Sequence, residues 1–319
     1  MNRELKIKQL RSIINQQLLP LIDNDYIYLD LPYYSNIGDT LIWEGTLEFL
    51  KQIPQKCLYT SSYETYSPQI IDTNTIILLQ GGGNWGNLYP KHHEFRKRII
   101  EEYPHNRIII LPQTIYYPNT EALEKDSFFF NQHPNVIICT RDNASYQLLK
   151  THFQKNLILL IPDMAFFLSL PNVKTKKNGQ ILFLKRKDKE LSSHTHIPTT
   201  LNVDTHDWPT MENDFWKIRI VNILFGILKT IVAPFNSQLS KRIKDFKYNY
   251  FIRKHYIKIG TTFIDKYDTV YTTRLHGMIL SILLDKYIYI MDNSYGKNFS
   301  FYHTWLKDLD SVHLLESNI

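Results

Sequence analysis

Short apolar runs alternate with amphipathic stretches along most of the chain, and these two periodicities predict strands interleaved with helices. YIYLDLP (26–32), CLYTS (57–61), TIILLQ (75–80), RIIILPQ (107–113) and VIICTRD (136–142) read as strands, and NLILLIPDMAFFL (156–168) as a strand with a turn. Between them TLIWEGTLEFLKQI (40–53), HHEFRKRIIEEY (92–103), EALEKDSFFFNQ (121–132) and NASYQLLKTHF (143–153) read as helices. Strands that are apolar nearly throughout belong to a parallel sheet covered by helices on both faces. The polar segment PNVKTKKNG (171–179) reads as an interdomain linker. Alternation then resumes with QILFLKR (180–186), a long helical region, TVYTTR (269–274), LHGMILSILL (275–284) and YIYIMD (287–292). The expected fold is α/β, with two Rossmann-like doubly wound domains, 1–170 and 180–319, facing a cleft. A helical basic insertion is expected at about 205–258 of the second. Ligands of such sheets bind outside the carboxyl ends of the strands.

Charge changes this picture in one place. The chain of 319 residues carries a net +6, but residues 215–260 hold ten Lys or Arg against Asp245 alone, while the remainder has 27 basic and 30 acidic residues. The basicity therefore belongs to one surface. In FWKIRIVNILFGILKTIVA, a helical turn gathers Arg219, Asn222, Gly226, Lys229 and Thr230 on a narrow face and leaves the rest, apart from Lys217, apolar. Two readings stand: a helix lying on an anionic membrane surface, or one buried in the second domain. Nucleic-acid binding would give the apolar face no role, so no nucleic-acid partner is expected. Cys57 and Cys139 read as separate, buried, reduced thiols. The opening MNRELKIKQLRSIINQQLLPLI reads as an amphipathic helix without the features of a signal peptide. A cytoplasmic location is expected, with peripheral attachment to the inner membrane face as its extension.

The candidate chemistry lies just beyond the end of each strand. After the first come Asn36, Gly38 and Asp39, with Asp39 or Thr40 able to cap the next helix. After TIILL come Gly81, Gly82, Gly83 and Asn84. Gly81, Gly83 and Gly86 match the spacing of a dinucleotide fingerprint, but the next strand ends in Pro112, Gln113 and Thr114 without the carboxylate such a site needs. Gln113 and Arg141 end later strands, and Lys185 and Arg186 end the first strand of the second half. Arg274, Leu275, His276 and Gly277 open an apolar helix, placing two candidate cations where a helix start favours an anion. Asn293 and Lys297 come after the last strand. Together they describe a cleft of cations and amides facing one carboxylate, suited to a small, multiply anionic donor. No metal-ligand spacing, P-loop or nucleophile elbow is present, so neither a metal nor a cofactor is expected.

Asn36-Ile37-Gly38-Asp39, Gly81-Gly82-Gly83 and Arg274-Leu275-His276-Gly277, in that order, resemble the motifs of the polysaccharide pyruvyl transferase family. The resemblance runs from about residue 27 to 298 and implies a GT-B-like fold. It also implies transfer of pyruvate from phosphoenolpyruvate onto a sugar of a bacterial surface polysaccharide, such as an exopolysaccharide or capsule, or its lipid-linked precursor, as a cyclic ketal. Such chemistry needs an anion clamp, a general acid and a base. Arg274 is the expected clamp, assisted by Arg186 or Lys185 and by Lys297. His276 is the expected acid or phosphate partner, and Asp39 the expected base. The stretch 205–258 is longer and more basic than the family pattern, which bears on the acceptor side. The alternatives are a nucleotide-sugar glycosyltransferase, for which Asp292 offers the carboxylate for the ribose, and a non-catalytic membrane-associated scaffold.

Overall fold

A computed structural model describes residues 1–86, 89–170, 178–192, 202–213 and 215–315. Six parallel strands, β1 (Tyr26–Leu29), β2 (Cys57–Ser61), β3 (Ile76–Leu79), β4 (Ile108–Gln113), β5 (Val136–Thr140) and β6 (Leu157–Leu160), form a first sheet in the order β2-β1-β3-β4-β5-β6. The helices of this half are α1 (Arg3–Leu18), α2 (Ile37–Leu50), α3 (Pro90–Glu102), α4 (Thr120–Phe130) and α5 (Asn143–His152), with a 3-10 turn at Met164–Phe167. Strands β1, β3, β4 and β5 are buried along their whole length. Tyr28, Leu78, Ile109 and Ile137 pack on one face, whereas Ile27, Ile77, Ile108 and Ile138 pack on the other. That period-two partition is why the strands read as continuous apolar runs.

The second sheet is also parallel: β7 (Ile181–Leu184), β8 (Asp204–His206), β9 (Thr269–Thr272), β10 (Tyr287–Ile290) and β11 (Val312–Leu314), in the order β11-β10-β9-β7-β8. Its helices are α6 (Pro209–Glu212), α7 (Trp216–Val232), α8 (Ser237–Lys247), α9 (Arg253–Asp265), α10 (Leu275–Leu283) and α11 (Lys297–Trp305), with a π-helical turn at Tyr248–Ile252. Both sheets wind alike. The second strand lies outside the first and the third on its other side, so strand order reverses between β1 and β3 and again between β7 and β9.

The two halves share buried surface. Leu10, Ile37, Leu41 and Phe166 pack in one cluster with Leu182, Ile279 and Ile288. Helix α2 packs on the 3-10 turn closely enough that a Cβ at Gly45 would lie 2.1 Å from the carbonyl oxygen of Met164. Helix α1 reaches both halves: Leu10 joins that shared cluster, Ile14 and Leu18 join the first-sheet core, and Arg3 pairs with Asp285 at 3.1 Å.

Several elements depart from expectation. Strands β8 and β11 and helix α11 carry no strong apolar periodicity, β8 being an exposed edge of sequence DTH. The stretch 205–258 is not one inserted arm. It begins in β8, includes buried Asp207 and Trp208, and ends in α9, which packs on α2 and α10. Helices α7 and α8 pack on one another, and α8 reaches the first half through Lys241 and Asp245. Helix α7 is not buried: Ile218 alone of its residues is. Cys57 is exposed on the edge strand β2, and Cys139 is buried as expected. Of the expected linker, 171–177 lies outside the described residues; the backbone N–H groups of Asn178 and Gly179 donate to the Asp268 carboxylate.

Candidate active site

Because every strand of a sheet runs the same way, the residues after the strands emerge at one sheet edge. Side chains from both edges line one pocket of about 430 Å³, within the range of about 300–1,000 Å³ usual for small-molecule sites. Asn36 and Asp39 reach it from beyond β1, Gly83 and Asn84 from beyond β3, and Arg141 from β5. Arg186, Asp188 and Glu190 enter after β7, Trp208 and Met211 after β8, Arg274, Leu275 and His276 after β9, and Lys297 after β10.

The first motif is a helix start. Asn36, not Asp39 or Thr40, is the N-cap of α2, its side-chain oxygen accepting from the Gly38 N–H at 2.9 Å. Asp39, in the first turn, accepts from Asn36 Nδ2 at 2.7 Å and the Tyr34 hydroxyl at 3.1 Å, and it lines the pocket. Its charge is favoured at a helix N-terminus. Asp142 is the simple N-cap of α5, accepting from the Ser145 N–H at 2.9 Å.

Gly38 lies behind the wall, and a Cβ there would come 2.6 Å from His276 Nδ1. Absence of a side chain thus lets the third motif rest on the first. His276 Nε2 lies 3.3 Å from Asp163 Oδ2 and 3.4 Å from Arg141 Nη1. Asp163, fully buried beyond β6, also accepts from Arg141 Nη1 at 2.7 Å. Burial pushes its carboxyl up, but His276 and Arg141 outweigh this and hold it well below the usual carboxylate range.

The glycine turn continues the sheet and does not open a helix. The Gly82 N–H donates to the Pro112 carbonyl and the Gly82 carbonyl accepts from the Thr114 N–H, with Gly82 at φ 141°. Gly81 and Gly82 lie behind the pocket, as does Gln113, whose Nε2 donates to the Gln80 carbonyl at 2.8 Å. Gly83 lines it, and a Cβ there would sit 3.1 Å from Arg141 Nη2 and 3.9 Å from Lys297 Nζ. Arg141 spends Nε on Thr114 and Nη1 on Asp163, leaving Nη2 beside Gly83.

The cations of the second half are bound by acids that the sequence reading missed. Arg274 donates from Nε and Nη2 to buried Asp207 and from Nη2 to Asp188 at 3.2 Å. Arg186 donates to Asp188 at 2.8 and 3.1 Å and to Glu190 at 2.8 Å. Glu190 is buried and also accepts from Lys297, Asn293, Tyr295 and Tyr89. Burial raises its carboxyl, and Lys297 with Arg186 more than reverses this, holding it well below its ordinary range. Burial lowers the Lys297 ammonium to about 8; Glu190 opposes that fall, while Arg186 and Arg141 add to it.

The pocket is therefore not a cationic cleft facing one carboxylate. Four acids pair with its cations, as burial of charge requires. Asp188 and Glu190 stand in the same charged run as Arg186, KRKDKE, which could have suggested the pairing. Asp163 and Asp207 lie after strands with nothing local to mark them. Lys185 does not line the pocket: its ammonium sits over the Phe183 ring, 5.7 Å from the centroid, on the side opposite Arg186. Asn293 lies behind the wall, where its side-chain oxygen accepts from the Lys297 N–H at 2.9 Å. His92 was not foreseen. It lines the pocket from α3 with Nδ1 2.6 Å from Asp30, a buried residue with left-handed backbone (φ 65°) that also pairs with Arg96.

Comparison with known proteins gives the family. Residues 36–295, which contain all three motifs, match the family model described as polysaccharide pyruvyl transferase. The chain belongs to that family. It is 34% identical to the Bacillus subtilis protein EpsO over 313 residues, covering 95% of this chain and 94% of EpsO. It is 25% identical to Pyruvyl transferase 1 of Schizosaccharomyces pombe, covering 91% of this chain and 72% of that one. A crystal structure of a Klebsiella pneumoniae protein of uncharacterised function superposes with a TM-score of 0.62 over 99% of both chains, at 21% identity, and so shares the fold. As a pyruvyl transferase family member the chain acts in polysaccharide biosynthesis, moving a pyruvyl group to a polysaccharide acceptor. The pocket joining its motifs is the candidate place for that transfer.

Proposed function

We propose that this transferase takes pyruvate from phosphoenolpyruvate and joins it to two hydroxyls of one sugar as a cyclic ketal. The supporting observation is the corner where Gly83, Arg141 Nη2 and Lys297 Nζ meet, since it offers backbone and two cations to a donor carrying both phosphate and carboxylate. All four cations are met by acids, and Arg274 and Arg186, which lie outside the corner beside Gly83, are assigned to shaping it rather than to clamping the donor. His276, touching the Asp163–Arg141 pair, delivers the proton to the donor's terminal methylene. Positive charge develops at the central carbon, and a sugar hydroxyl whose proton passes to Asp39 attacks there. The carbon–oxygen bond to phosphate breaks, phosphate departs with the electron pair, and the second hydroxyl closes the ring, its proton passing to the departing phosphate. No electrons pass to a redox group, so this reaction calls on no cofactor. The acceptor class fitting the basic arm is a sugar borne on a membrane lipid.

The glycosyltransferase alternative loses its ribose carboxylate: Asp292 Oδ1 accepts from the N–H groups of Asn293, Asn298 and Phe299 and does not line the pocket. The test is acceptor-dependent release of phosphate from phosphoenolpyruvate. Transfer from a nucleotide sugar, with phosphoenolpyruvate untouched, would overturn the proposal. The Lys297 ammonium is charged below about 8 and neutral above it. Donor affinity measured by titration calorimetry is therefore expected to fall as pH rises through that value, and Lys297→Arg to remove the fall.

A further inference from the structure

Helix α7 exposes a face that nothing in the chain covers among the described residues. Trp216, Ile220, Ile223, Leu224, Ile227 and Ile231 are between 47 and 67% exposed. At 3.6 residues per turn they fall within an arc of about 100°. Ile218, Val221 and Phe225 turn toward the body, and Arg219 and Lys229 occupy the remaining side. On the body side of α7, half-buried Phe225 packs on Phe246 of α8 and Phe251 of the π-helical turn, 6.3 and 5.5 Å between centroids, and both of these are themselves exposed.

Charge decides what fits this face. Lys217 and Lys229 are exposed on α7 itself and Lys258 lies exposed beside Trp216 and Lys217, and Asp245 is the one acid between residues 215 and 260. Asp245 is turned inward, accepting from Thr65 Oγ1 at 2.6 Å. A second copy of the chain docked through the same face would set these cations against their own copies. An anionic lipid surface satisfies both the apolar arc and the cations that rim it. The helix is about 25 Å long at 1.5 Å per residue and carries three cations, and no helix among the described residues is long and apolar enough to cross a membrane.

We propose that the exposed face of α7 is a docking surface that lies flat in the headgroup layer of an anionic bilayer. Its base is fixed to the first half of the molecule: Lys241 donates to the Tyr66 carbonyl at 2.8 Å, and Tyr248 stacks on Tyr33 at 4.5 Å. Both ends of the arm adjoin the pocket. Met211, which lines it, closely precedes α7, and Tyr256 of α9 contacts Ser35 at its rim at 3.1 Å. Docking would hold the pocket beside the bilayer, where capture in two dimensions concentrates a lipid-borne acceptor; that purpose rests on the acceptor being the lipid-borne sugar proposed for the transfer.

The full-length protein is sedimented with vesicles of phosphatidylcholine alone and of phosphatidylcholine with an equal part of phosphatidylglycerol. Binding to the mixed vesicles only is expected, weakened by salt. Ile223→Glu with Ile227→Glu should reduce it by about tenfold or more without changing thermal stability or turnover on a water-soluble acceptor. Vesicle binding is read without turnover, so an inactive protein that binds overturns the activity reading and leaves the docking surface. Equal sedimentation of variant and wild type would overturn docking. So would an unbound wild type that forms a dimer broken by the two substitutions, since the face would then cover a second copy.

Discussion

Arg141→Ala is expected to weaken phosphoenolpyruvate binding by about tenfold or more, the usual cost of losing a charge-assisted contact of ~1.5–3 kcal/mol, and to destabilise the fold as well. Arg141 is 1% exposed and its partner Asp163 fully buried, so truncation strands a charge. Breaking such a pair from one side costs about 3–5 kcal/mol. A second substitution separates the two losses. Asp163→Asn in the Arg141→Ala background should restore much of the denaturant midpoint and none of the donor affinity. Arg274 should behave differently, because it lies outside the corner at Gly83 and is held by two acids, Asp207 and Asp188, whereas Arg141 keeps Nη2 beside Gly83. Arg274→Ala with Asp207→Asn should bind donor within a few-fold of wild type. If calorimetry instead shows that this pair abolishes donor binding while Arg141→Ala/Asp163→Asn binds normally, the clamp is Arg274, as the sequence suggests.

His276→Ala and Asp39→Asn are each expected to lower turnover by roughly 10²–10⁴-fold, the usual contribution of a general acid or base, with donor binding largely kept. His276 touches the Asp163–Arg141 pair, whereas Asp39 is held by Asn36 and Tyr34, so each is oriented before substrate arrives. Asn36, not Asp39, caps α2, so Asp39→Asn should leave the thermal midpoint nearly unchanged. A large loss of stability with little loss of turnover would return Asp39 to a structural role.

Strands β1, β3, β4 and β5 were legible because each is buried on both faces, and the candidate residues because a parallel sheet presents its loops at one edge. Asn36, Asp39, Gly83, Asn84, Arg141, Arg186, Arg274, His276 and Lys297 all meet in one pocket. What the sequence could not show is pairing across distance. Asp163 and Asp207 face cations from other strands, and nothing beside them in the chain marks them as buried. His92 sits on an amphipathic helix where a histidine on the apolar side reads as core. Strand β8 is polar because it is an edge, so periodicity gave no sign of it and the region 205–258 read as a single insertion. The exposed apolar face of α7 is the reverse case. Its composition fits a core helix as well as an interfacial one, and only its place in the fold separates the two.

The central claim is the reaction itself, and one product measurement tests it. The protein is incubated with phosphoenolpyruvate and candidate sugar acceptors in deuterium oxide, and the acceptor is weighed by mass spectrometry. Protonation of the methylene places one solvent deuteron in the new methyl group. The account predicts an acceptor heavier by pyruvic acid less one water, with a single deuterium in that methyl, and one phosphate released for each ketal. An acceptor that gains a pyruvyl group with no solvent deuterium in its methyl, or that retains the phosphate, would contradict it.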